Sequence, residues 1–113
     1  MTRICLHCVL ARVLKAERRT LAGRGLEVKL GPSAAVFLPG SGATIFRRLR
    51  SLLREAAAEA SGDRLKLAVL DLPGKSHVEV TATFGTAIGA RVLSRTFPLH
   101  VPSTLARGFA EQA

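Results

Sequence analysis

The feature that most constrains this chain is an apolar stripe running from Ile45 to Ala60. Ile45, Leu49, Leu52, Leu53, Ala56 and Ala60 fall three or four residues apart, which places them on one face of an α-helix. Arg47, Arg50, Arg54 and Glu55 mark its other faces. Ahead of the stripe, Pro39-Gly40-Ser41-Gly42 reads as a turn, with Ser41 placed to accept from the free amides of the first helical turn. Ser61-Gly62-Asp63 closes the helix. A stripe of this kind has to be buried against a second layer, so the flanking segments must supply one.

Strand patterns lie on both sides. Leu26, Val28 and Leu30 alternate with Glu27 and Lys29, giving a half-buried strand that Gly31-Pro32 is expected to end. A second strand is expected over residues 34–38. Leu65 to Leu70 reads as a strand, Leu72-Pro73-Gly74-Lys75 as a hairpin connection, and Val78, Val80 and Ala82, alternating with Glu79, Thr81 and Thr83, as its antiparallel return. Residues 86–93 fit either strand or loop, and Val101-Pro102-Ser103 introduces a short final helix through Phe109. At the other end, Ile4 to Leu21 reads as one helix, with Arg18 and Arg19 near its C-terminus and Gly23 and Gly25 stopping it. There is no internal repeat. The expected fold is α+β, a two-layer sandwich in which an N-terminal helix and one long central helix pack on a small mixed sheet. The 113 residues suffice for one domain: helix over 1–24, core over 25–98, tail over 99–113.

Charge limits the partners. Seventeen Lys and Arg against eight Asp and Glu give a net charge of +9, and up to Arg54 only Glu17 and Glu27 are acidic. Such a surface attracts acidic proteins and nucleic acid alike. With five Phe and no Tyr or Trp, little is left to build a base-stacking platform. No apolar run approaches the roughly 20 residues of a membrane span, and two cysteines are too few for a disulfide framework. A cytoplasmic protein without membrane contact is expected.

Several clusters carry more than one reading. Arg47, Arg48, Arg50 and Arg54 suit a phosphate or an acidic protein, or form a solvated face. Glu55 and Glu59, one turn apart, suit a metal or pair with Arg50 and Arg54. Cys5-Leu6-His7-Cys8 suits a zinc site shared across a dimer, a redox use, or small apolar filling. Pro39-Gly40-Ser41-Gly42 could turn amides toward an anion, but it lacks the Lys and Ser/Thr of a P-loop and reads as a capped turn. The stripe Ile4, Cys5, Cys8, Val9 and Val13 exceeds what a short sheet obviously covers, so the first helix is expected to self-associate into a homodimer. His77 in a loop and His100 near a proline have neither triad nor metal spacing.

Gly40-Ser41 followed by Ile45, Leu49, Ser51-Leu52-Leu53, Glu55-Ala56 and Gly62 resembles the start of the ATP-binding domain of sensor histidine kinases, of the GHKL group, where a capped helix carries the Asn residues of the N box. Leu26 to Leu30 takes the place of that family's first strand, and residues 65–70 and 78–83 resemble the strands leading to its Asp-x-Gly-x-Gly nucleotide motif. The resemblance puts the magnesium-holding Asn on Glu55, the first N-box Asn on Ser51, and the adenine-reading Asp on Phe84. A carboxylate still suits magnesium, but a phenyl ring offers adenine no acceptor, and no second glycine-rich box follows. The profile is similar to the degenerate kinase-like domains of histidine phosphotransferases. His7, the one histidine in a helical context, lacks the acidic neighbour and downstream Pro of a phosphoacceptor motif. The resemblance therefore implies a non-catalytic signalling adaptor that uses no cofactor or metal and docks a protein with an acidic surface. A small basic nucleic-acid-binding protein is the alternative.

Overall fold

A computed structural model describes residues 3–33, 36–71 and 76–99, apart from the side chains at 32 and 33. The expected final helix, His100 and the hairpin loop at 72–75 lie outside the described residues. In chain order the elements are β1 (Arg3–Cys5), α1 (Leu6–Ala16), α2 (Arg18–Gly23), β2 (Glu27–Ser33), β3 (Phe37–Pro39), α3 (Gly42–Glu59), β4 (Arg64–Asp71), β5 (His77–Thr86) and β6 (Gly89–Pro98). Four strands form a mixed sheet in the order β2-β4-β5-β6, with β2 and β4 parallel and the other pairs antiparallel. β1 and β3 make a separate antiparallel pair. The fold is the α+β sandwich expected.

The sheet presents one face to the helices. Leu65, Leu67 and Val69 of β4 and Val78, Val80, Ala82 and Phe84 of β5 are buried, as period-2 alternation requires. They join one cluster with Leu49, Leu52, Leu53 and Ala56 of α3. Ser41 caps α3, its Oγ accepting from the Thr44 amide at 3.3 Å. Gly40 leads in with a φ of +117°, which a side chain would resist.

The N-terminal segment departs from the single helix expected. Ile4 and Cys5 belong to β1, Ile4 lying opposite Leu38, and the helix is interrupted at Glu17. Leu6, Val9, Leu10 and Val13 are buried and α1 packs on α3. Of the stripe, Val9 and Val13 are covered within the chain and fill a layer against α3, whereas Ile4 and Cys5 are partly covered and Cys8 is exposed. Periodicity gave the stripe but not its partner.

Gly31-Pro32 does not end β2, which continues to Ser33 through a register shift after Leu30. β2 is an edge strand, where a residue without an N–H is tolerated. Gly31 is fixed by close approach, since a Cβ there would sit 2.7 Å from Lys66 Cε and 3.2 Å from the Leu67 carbonyl oxygen. β3 starts at Phe37, later than the strand expected over 34–38. Residues 89–98 are a full strand. β5 turns into β6 through Ala87 and Ile88 alone, since Thr86 already pairs with Gly89. Thr86 Oγ1 holds this turn, donating to the Gly89 carbonyl at 3.0 Å and accepting from the Ile88 amide at 3.4 Å.

Candidate functional site

Helix α3 carries most of the residues singled out in the sequence, and its two flanks treat them differently. On the β6 flank the charges meet one another. Register places Arg91 opposite Phe84 and Arg95 opposite Val80, on the side of the sheet facing the helices. From there Arg95 Nη2 donates to Glu55 Oε2 at 2.6 Å, and Arg91 pairs with Glu59. Glu55 and Glu59 do pair with arginines, but with those of β6 and not with Arg50 and Arg54. Arg48 is drawn to the same side, donating to the Thr96 carbonyl at 2.8 Å and lying 4.3 Å over the Phe97 ring.

The α1 flank is organised otherwise. Arg54 pairs with Glu17, a carboxylate residue only 4% exposed at the break between α1 and α2. Arg24 donates to the Ala57 carbonyl at 3.0 Å, satisfying a C-terminal acceptor of α3. Toward the N-terminus of α3, a groove of about 410 Å³ is lined by Arg12, Gly42, Ala43, Phe46, Arg47 and Arg50. Arg50 lies 5.7 Å from the Phe46 ring centre. Among the described residues no carboxylate lines this groove, and neither Arg12 nor Arg47 has an ion-pair partner. A shallower hollow of about 290 Å³, with Thr44, Ser51, Arg48 and Arg95, continues beyond Arg47.

The four arginines expected to act as one cluster are therefore divided. Arg47 and Arg50 line the groove, Arg48 is committed to β6, and Arg54 is committed to Glu17. Arg12 is the residue sequence reasoning missed, because 35 positions separate it from Arg47 and only the packing of α1 on α3 brings it there. Arg91 and Arg95 were missed as well, since their Glu partners lie more than 30 residues away. Phe84 is buried, 2% exposed, within the core. Ser51 is exposed. The β5–β6 turn at Ala87-Ile88 occupies the stretch where the resemblance would place the glycine-rich nucleotide motif.

The histidines and cysteines are placed as follows. His77 is the first residue of β5, not a loop residue, and His7 lies on α1. Cys5 is the N-cap of α1, its Sγ accepting from the Cys8 amide at 3.2 Å. Hydrogen bonds from the Cys8 thiol and amide hold the Cys5 thiol below the ordinary thiol range, and the bond to Cys5 pushes Cys8 up. Among the described residues no three His, Cys, Asp or Glu side chains converge into a metal-holding group, so Cys5, His7 and Cys8 do not form one within the chain. Nor is any helix among them long and apolar enough to cross a membrane.

No protein-family model matches this sequence, and no curated protein matches it either. Solved structures do. The mycobacterial sensor histidine kinase MprB superposes with a TM-score of 0.63 at 18% identity, over 73% of this chain and 53% of that one. The nucleotide-free catalytic domain of histidine kinase ThkA gives 0.63 at 16% identity, over 75% and 58%. The cytoplasmic segment of histidine kinase QseC gives 0.63 at 16% identity, over 78% and 56%. The chain thus spans a little over half the length of each. At these identities the likeness concerns the fold, and the fold is that of the catalytic, ATP-binding domain of histidine kinases.

Proposed function

We propose that this chain is a non-catalytic, histidine kinase-like module of cytoplasmic signalling, which holds an acidic surface of a partner protein on the groove between α1 and the N-terminal half of α3. The observation that carries the reading is where the guanidinium groups are used. Those nearest Glu55 and Glu59 are paired with these carboxylates, whereas Arg12, Arg47 and Arg50 line a groove without a carboxylate among the described residues.

The first half of that contrast argues against nucleotide chemistry. For Glu55 to ligate magnesium it would have to leave Arg95, exchanging a charge-assisted hydrogen bond for the cation. Phe84, buried in the core, presents no acceptor to an adenine amino group. The second half argues for a partner. Arginine guanidinium groups recognise carboxylates in forked geometry, and Phe46, which lines the same groove, adds apolar contact area.

The test is an affinity pull-down with the full chain, run with and without nuclease. It compares the wild type with Arg12→Glu/Arg47→Glu and with a charge-matched control on the opposite face of the sheet, Lys29→Glu/Lys66→Glu. A protein retained after nuclease, lost with the groove variant and kept by the control, is the expected result. Prey lost on nuclease treatment would favour the nucleic-acid reading. Equal loss with both variants would reduce the groove to unspecific attraction and overturn the proposal.

A further inference from the structure

We propose that Cys5 and Cys8 form a redox-active dithiol that exchanges with low-molecular-weight disulfides, Cys5 attacking and Cys8 resolving. This assignment does not depend on the docking groove. The two residues stand at a junction that fixes them from both sides. Cys5 ends β1, where it lies opposite Phe37, and the next residue, Leu6, is fully buried and donates its amide to the Val36 carbonyl at 3.0 Å. Cys5 is then the N-cap of α1, and its sulfur accepts the Cys8 amide at 3.2 Å, at the positive end of the helix dipole. Thiolates are stabilised in that position, and a second cysteine three residues on is within bridging reach across one helical turn.

Neither apolar filling nor a metal held by one chain fits the surroundings. Small apolar filling would bury the pair, as it buries Leu6, Val9 and Leu10, yet Cys8 is exposed and Cys5 only partly covered. A metal would need further ligands, and among the described residues no such group converges there. The hydrogen bonding separates the roles, because the bonds from Cys8 hold the Cys5 thiol down while the bond to Cys5 pushes the Cys8 thiol up, which favours Cys5 as the attacking sulfur.

The chemistry balances. The Cys5 thiolate attacks one sulfur of the small disulfide, forming a mixed disulfide and expelling a thiolate that takes a proton from water. Cys8 gives its proton to solvent and attacks Cys5 Sγ, which closes the Cys5–Cys8 disulfide and releases the second small thiol. The protein loses two electrons and the small disulfide gains them.

The experiment equilibrates the folded chain with set ratios of oxidised and reduced glutathione, quenches with acid, alkylates and weighs the products. The wild type should lose both alkylatable thiols together as one intramolecular disulfide, without retained glutathione. Cys8→Ser should stop with a single glutathione on Cys5. Cys5→Ser should lose the fast exchange while keeping its fold by circular dichroism, since serine is itself a preferred N-cap. Glutathione on both cysteines, linkage between two chains in place of the internal bridge, or wild-type exchange rates in Cys5→Ser would each overturn the proposal.

Discussion

The two flanks of α3 carry the same kind of side chain to different ends. Toward β6, Arg95 and Arg91 rise from the sheet to meet Glu55 and Glu59, and Arg48 settles over Phe97 and the Thr96 carbonyl. Toward α1, Arg54 is tied to Glu17, but Arg12, Arg47 and Arg50 gather with no acid between them. A count of arginines along the helix does not separate these cases. What separates them is whether packing brings a carboxylate within reach, and among the described residues none reaches the groove at the N-terminal half of α3.

This contrast yields a ranked set of outcomes. Leu49→Ala removes a residue 1% exposed from the ridge that supports both flanks, and should cost about 2–5 kcal/mol in urea unfolding. Arg54→Ala comes next, at about 1–3 kcal/mol, because it leaves the buried Glu17 carboxylate without its donor. Ser41→Ala should cost about 1 kcal/mol through the lost α3 cap, read in the same way. Glu55→Ala breaks a pair whose carboxylate is about half exposed, so less than about 1 kcal/mol is expected from a double-mutant cycle with Arg95→Ala. Arg12→Ala with Arg47→Ala should leave unfolding within about 0.5 kcal/mol of wild type. A loss there as large as that of Arg54→Ala would show that these cations have structural partners and would erase the difference between the flanks.

How much of this was legible depended on whether a residue's environment lay close in sequence. The α3 stripe, its Ser41 cap and the alternation in β5 were readable because helix and strand periods repeat over a few residues. β6 was not, because its inward positions alternate Arg91, Leu93, Arg95 and Phe97, and half of them are cations satisfied by carboxylates on another element. The apolar stripe of α1 was visible but its partner was not. Periodicity marks Val9 and Val13 as a face to be covered, and the packing of α1 on α3 is what covers them. Glu55 and Phe84 stand out through a family resemblance, whereas the groove follows only from the tertiary fold, since Arg12 and Arg47 share no local pattern.

The claim on which the account rests is that Glu55 belongs to Arg95 and not to a nucleotide's metal. Isothermal titration of the full chain with Mg-ATP measures this directly. No saturable heat is expected, either from the wild type or from Arg95→Ala. A saturable isotherm from the wild-type protein that disappears in Glu55→Ala would contradict the account and restore the site as a nucleotide pocket.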